Sequence, residues 1–128
     1  MARYNKGANA ERQLIHRLFE AGFSVIRTAG SGKTPLPAPD IIALKRGRIL
    51  AFECKAWKAK NLAIPVEQVE ELLDWSEVAG AEPLIGWKIP RKGWFFLKSG
   101  QMKNTGKFFT INSSNAMEKG KSLEEVMA

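Results

Sequence analysis

Between Lys6 and Ala21 the apolar residues Ala10, Leu14, Ile15, Leu18 and Phe19 recur at helical spacing, and Gly22 follows as a stop. The spacing predicts a helix over 6–21. Phe23 to Thr28 alternates apolar with polar, as a strand does. Two apolar runs, Pro39 to Lys45 and Arg48 to Ala56, are joined around Arg46-Gly47 and read as a hairpin. A second helix is expected from about Pro65 to Ala79, closed by Gly80, with Val66, Val69, Leu72 and Leu73 on its inner side. Residues 82–88 and 93–97 read as strands, and 107–111 as a short edge strand. Beyond Asn112 the chain is polar, save for a capping-box pattern from Ser122 to Glu125. The organisation expected is one domain over 1–112 and a loosely attached polar tail over 113–128. A helix on either side of a central hairpin implies a mixed sheet covered by helices, an α/β fold.

A chain of 128 residues suits one domain with a full core. Its single cysteine, Cys54, makes neither an internal disulfide nor a zinc cluster and fits a reducing compartment. The polar start and the absence of any long apolar run lead us to expect a soluble, cytoplasmic protein with no membrane contact. Charge narrows the class of partner. Twenty Lys and Arg face thirteen Asp and Glu, and residues 1–66 hold twelve of the bases but only four acids, Glu11, Glu20, Asp40 and Glu53. A basic surface suits a phosphate backbone, although solubilising charge has the same composition.

The stretch TAGSGKT, Thr28 to Thr34, resembles a nucleotide-binding loop, but Arg27 stands where the first glycine is needed. Three prolines at 35, 37 and 39 replace the helix that should follow. No nucleoside triphosphate is expected there.

The acids are more informative. Taking about 100° per residue from Leu14, Glu11 falls at roughly 60°, inside the apolar face of the first helix. A carboxylate buried there needs a cation or a partner. Glu53 and Lys55 share one face of their strand, and counting back equally from the Arg46-Gly47 turn sets Asp40 across from them. Each alone has a structural explanation: a strand-start cap for Asp40, an edge ion pair for Glu53 and Lys55, a surface pair for Glu11. Together they form a set of hard oxygen ligands for Mg²⁺, with Mn²⁺ able to substitute, beside an ammonium suited to a reacting phosphate. That chemistry is phosphodiester hydrolysis. Arg3 and Lys6, in a flexible basic arm, with Arg12 and Arg27 flanking the acids and Lys58 and Lys60 beyond the strand, are candidate phosphate contacts.

Pro39-Asp40, twelve residues, then Glu53-Cys54-Lys55 matches the PD-(D/E)xK motif of the restriction-endonuclease-like nucleases. With Lys6-Gly7 through Glu11, Gly22-Phe23, Arg27, the Gly30-Ser31 loop and Gln68-Val69, the chain from Tyr4 to Leu97 resembles the archaeal Holliday-junction resolvases. The resemblance implies a restriction-endonuclease-like mixed central sheet flanked by helices, in core order αβββαβ. It also implies a homodimeric, Mg²⁺-dependent endonuclease that cuts four-way DNA junctions by paired symmetric nicks. Glu11, Asp40 and Glu53 would then serve the metal, Lys55 the chemistry, and Ser31 a catalytic loop contact, with Lys33 adding positive charge towards DNA. The prolines after the loop depart from the family pattern, and the tail beyond Asn112 has no counterpart in the resemblance. A nuclease of the same superfamily acting on flaps, mismatches or foreign DNA, and a non-catalytic DNA-binding protein on the same fold, are the alternatives.

Overall fold

The structure is a computed structural model and describes residues 2–28 and 36–128, the side chains from Gly7 onward. Helix α1 spans Ala2–Glu20. Strands β1 (Ser24–Arg27), β2 (Ile41–Lys45) and β3 (Arg48–Lys55) follow. β4 (Asn61–Pro65) leads directly into α2 (Val66–Ala79), and β5 (Glu82–Ile89) and β6 (Gly93–Leu97) complete the main sheet's strands. The short β7 (Lys103–Asn104) and β8 (Phe108–Asn112) precede α3 (Ser113–Lys119) and α4 (Leu123–Met127).

The main sheet runs β1-β2-β3-β5-β6, with β3 and β5 parallel and the other neighbours antiparallel. The β2–β3 turn is the tight one expected, because Arg46 and Gly47 both have positive φ, 51° and 85°. That turn geometry matches the twist of the flanking strands and sets the register Lys45 opposite Arg48 through Ile41 opposite Phe52. Alternation then divides β3 between two cores. Leu50, Phe52 and Cys54 join Leu14 and Leu18 of α1 on one face. Ala51 joins Ile85, Trp87, Val69 and Leu72 on the other, beneath α2. The aromatic rings of β6 pack over β5 only because Gly86 lacks a side chain: a Cβ there would meet Phe96 Cε1 at 2.8 Å.

Three features depart from the expectation. α1 begins at Ala2 rather than Lys6, so Arg3 and Lys6 lie in a helix and not in a flexible arm; their side chains are outside the described residues. β4, which carries no distinctive pattern beyond Leu62 and Ile64, pairs with β8 in a second, three-stranded sheet over the α2 side, and β7 pairs with β8 on its other edge, so the strand expected at an edge is central. The last sixteen residues are not a loose tail. Leu123 and Val126 are buried in the core under α1, and Ala116 is buried in the core under α2. Phe96 and Lys121 exchange two backbone hydrogen bonds of 2.9 Å. The Arg48 guanidinium donates to the carbonyls of Val126, Met127 and Ala128, capping the end of α4. The capping box is present, Ser122 and Glu125 satisfying each other's backbone N–H groups. Two apolar residues among charged ones gave too short a period to be read as a packed helix.

The buried position of Leu123 makes its truncation a test of this packing. Leu123→Ala is expected to destabilise the protein by about 2–4 kcal/mol in urea denaturation, whereas a loose tail would leave stability unchanged within about 0.5 kcal/mol.

Candidate active site

β2 begins one residue after Asp40, and the Asp40 N–H donates at 2.9 Å to the C=O of Phe52, the residue already opposite Ile41, as at a β-bulge. Asp40 is thus held at the Phe52–Glu53 end of β3. The Asp40 backbone is held from the other side as well, its carbonyl accepting Thr28 N–H at 2.9 Å. Thr28 Oγ1 donates to Pro39 C=O at 2.7 Å. The Cys54 N–H donates to Asp40 Oδ2 at 2.8 Å, which orients the carboxylate across the strand pair. Residues 37–40, Glu53, and Gln68 and Glu71 of α2 line a cleft of about 180 Å³. A proline wall, a strand end and the first turns of a helix therefore meet where the acids are.

Two carboxylates this close and this buried resist charging. Burial first, then the negative charge of Asp40, pushes the Glu53 carboxyl up to about 7, against the pull of Lys55. Burial likewise raises Asp40, with the Cys54 N–H pulling the other way and Glu11 adding to the rise. Lys55 Nζ is 3.7 Å from Glu53 Oε2, donates to Gln68 Oε1 at 3.2 Å, and lies 5.8 Å from the centre of the Trp57 ring. Its ammonium is positioned on three sides. The Trp57 carbonyl is anchored in turn by Trp87 Nε1 at 3.1 Å.

Glu11 belongs to α1, on the opposite face of the sheet from Glu53, and meets the site at the sheet's end. Arg27 Nε donates to its Oε1 at 2.8 Å. Glu11 acts on Asp40 and Glu53 through charge. Among the described residues no three Asp, Glu, His or Cys side chains close into a metal-binding group. Glu11, expected to serve the metal, and Arg27, expected to contact phosphate, are paired with each other here.

The chain matches the model of the archaeal Holliday junction resolvase (Hjc) family over residues 2–128. It belongs to that family. It is 40% identical over 110 residues to the crossover junction endodeoxyribonuclease Hjc of Archaeoglobus fulgidus, covering 86% of this chain and 81% of the relative. With the Hjc of Sulfurisphaera tokodaii it shares 36% over 126 residues, 96% of this chain and 86% of the relative. The solved structure of Archaeoglobus fulgidus Hjc, a Holliday junction resolvase from an archaeal hyperthermophile, superposes with a TM-score of 0.86 at 36% identity, covering 95% of this chain and all of that one. The restriction-endonuclease-like architecture is thereby established. The family match extends through the C-terminal helices, for which the sequence offered no likeness.

For this Hjc-family chain the described residues bring together Asp40, Glu53 and Lys55, with Glu11 behind them. Ser31 and Lys33 lie outside the described residues. Arg12, Lys58 and Lys60 are exposed, and Arg12 is bonded to Asn9 at 3.2 Å. Thr28, Glu71 and Trp57 were not singled out from sequence. Glu71 was within reach, being three residues after Gln68 and so on the same helix face. The two facing carboxylates, each raised by the other or by burial, are a donor set that fits Mg²⁺, which commonly takes one or two protein carboxylates and completes its shell with water and phosphate oxygens.

The strain between the acids has a measurable sign. Glu53 titrates near 4.5 in an ordinary environment and near 7 here. Between those values the folded protein holds a proton that the unfolded chain has lost, so stability falls as pH rises through that window. With a chelator present, Glu53→Gln is expected to exceed the wild type in stability by about 1–3 kcal/mol at pH 8. The difference should vanish near pH 4.5. Equal urea midpoints at both pH values would refute the raised carboxyl.

Proposed function

We propose that this chain is a structure-selective, Mg²⁺-dependent endodeoxyribonuclease that resolves four-way DNA junctions in recombination and repair. The observation that carries the reading is the juxtaposition of Asp40, Glu53 and Lys55 on one hairpin, in a chain of the Hjc family. Its relatives are named crossover junction endodeoxyribonucleases.

In this reading Asp40 and Glu53 hold the cation, and Mn²⁺ substitutes for Mg²⁺. When bound, the ion lowers the pKa of water and offsets charge on the phosphate. Burial first, and the charge of Asp40 second, raise Glu53, so a cation would meet a site already short of positive charge. Lys55, kept in place by Gln68 and Glu53, donates to the nucleophile or to the phosphate oxygens as charge builds there. Arg27 holds the Glu11 carboxylate beside the pair, where it would be a third oxygen donor to the cation. Ser31 offers a hydroxyl to the reacting phosphate. Arg3, Lys6, Arg12, Lys33, Lys58 and Lys60 hold backbone phosphates by charge and carry no base readout, as a shape-selective nuclease requires.

Two opposed nicks on a near two-fold substrate suit a two-fold dimer with one site per subunit. Leu36 and Val78, 73% and 92% exposed, line an apolar hollow with Trp75 that shares Pro37 and Glu71 with the cleft. A second copy seated there would bring two clefts near one another. No helix of the described residues is long and apolar enough to cross a membrane, which agrees with a cytoplasmic enzyme at the nucleoid.

Incubation of the protein with labelled four-way junction and Mg²⁺, with both nicks mapped, tests the reading against a linear duplex of the same sequence. Asp40→Asn is expected to lower single-turnover cutting at least about 100-fold while junction binding persists. Undiminished cutting by this variant, or equal cutting of duplex, would sink the proposal.

A further inference from the structure

The small sheet has a polar outer face that the cutting chemistry does not use. Its inner residues Leu62, Ile64 and Ile111 are buried. By alternation the outer ones are Asn61 and Ala63 of β4, Thr110 and Asn112 of β8, and Lys103 of β7. The register aligns them: Asn61 is opposite Asn112, and Thr110 lies between Ala63 and Lys103. At the Asn61 end the face opens into a groove of about 300 Å³, which Asn115 and Lys119 of α3 complete.

The groove's lining includes no Asp or Glu. Among the described residues neither the Lys103 nor the Lys119 ammonium has an acidic partner or a hydrogen-bond acceptor, whereas Lys55 and Lys98 are both paired. The surrounding sequence is one-sided too. Residues 56–66 and 98–117, which build this sheet and its approaches, hold five basic side chains and no acid. The acids of the C-terminal half are gathered elsewhere, five of them on α2. Unpaired lysines amid amide and hydroxyl donors, on a concave surface free of carboxylates, are what a polyanion's oxygens would meet.

Position says which part of the polyanion. β4 runs from Asn61 to Pro65, where α2 begins and Gln68 reaches Lys55. At the usual strand rise the groove lies about 13 Å from that end, too far to touch the phosphate being cut. We propose that the outer face of the small sheet, through Lys103 and Lys119 with Asn61, Asn112 and Asn115, is a second binding site for DNA backbone phosphates and holds the arm that leaves the cut strand. The proposal rests on the nuclease reading above.

The test is Lys103→Ala with Lys119→Ala, two exposed changes that should leave thermal melting unaltered. Fluorescence anisotropy with the same labelled junction, over a salt series, is compared with the wild type and with Lys88→Ala plus Lys92→Ala. That control removes equal charge from the strand face and turn away from the small sheet. Affinity is expected to fall about five-fold or more at 0.1 M salt, and the slope of log affinity against log salt to shrink by about 2. Cutting at subsaturating protein should fall with the affinity. Affinity and slope equal to the wild type would overturn the proposal, as would a loss matched by the control pair, since net charge alone would then account for it. A wild-type protein that neither binds nor cuts the junction would instead overturn the nuclease reading.

Discussion

The hydrogen bond from Cys54 N–H to Asp40 Oδ2 carries more of this structure's consequences than its size suggests. It joins the start of one strand to the end of its partner, and it is possible only in the register that the Arg46-Gly47 turn imposes. A one-residue slip would turn Glu53 and Lys55 into the apolar core and Cys54 out of it. The buried pair of faces on β3 makes such a slip costly from both sides. Register is therefore enforced by packing, and the acids face one another as a result.

That enforced meeting is unfavourable in itself. Two acids share a cleft, each made harder to charge by burial, with Lys55 the nearby offset. Local interactions elsewhere hold the arrangement in place: Thr28 on the Pro39 and Asp40 carbonyls, Gln68 on Lys55, and Trp87 on the loop after β3. The scaffold thus keeps a concentration of negative charge that a divalent cation would relieve. Stability is surrendered at the place where binding can return it.

Charge is distributed by the fold in a way the chain order conceals. Divided at its midpoint, the sequence has a basic half and a nearly neutral one. In three dimensions the neutral half separates into an acidic α2 and a small sheet without acids. The sheet's strands come from both halves, β4 from the first and β7 and β8 from the second. Its inner face closes the core over α2, and its outer face lies in solvent beside the cleft.

What the sequence determined by itself was local or periodic. The α1 stripe apart from the exposed Phe19, the α2 stripe, the turn at Arg46-Gly47, the Gly80 cap with φ of 72° and the Ser122 capping box follow from side-chain spacing and backbone preference, and all are present. The spacing from Asp40 to Glu53 sufficed to pair the acids, because an antiparallel hairpin converts chain distance into register by simple counting. Tertiary structure decided the rest. That Glu11 would meet Arg27 depended on a residue sixteen positions away on another element. Whether residues 113–128 would pack depended on the cavity left between α1 and the sheet for Leu123 and Val126, and on the reach of Arg48 to the chain's end. Such contacts are made between elements whose separation no period encodes, and they exist only once the sheet has brought them together.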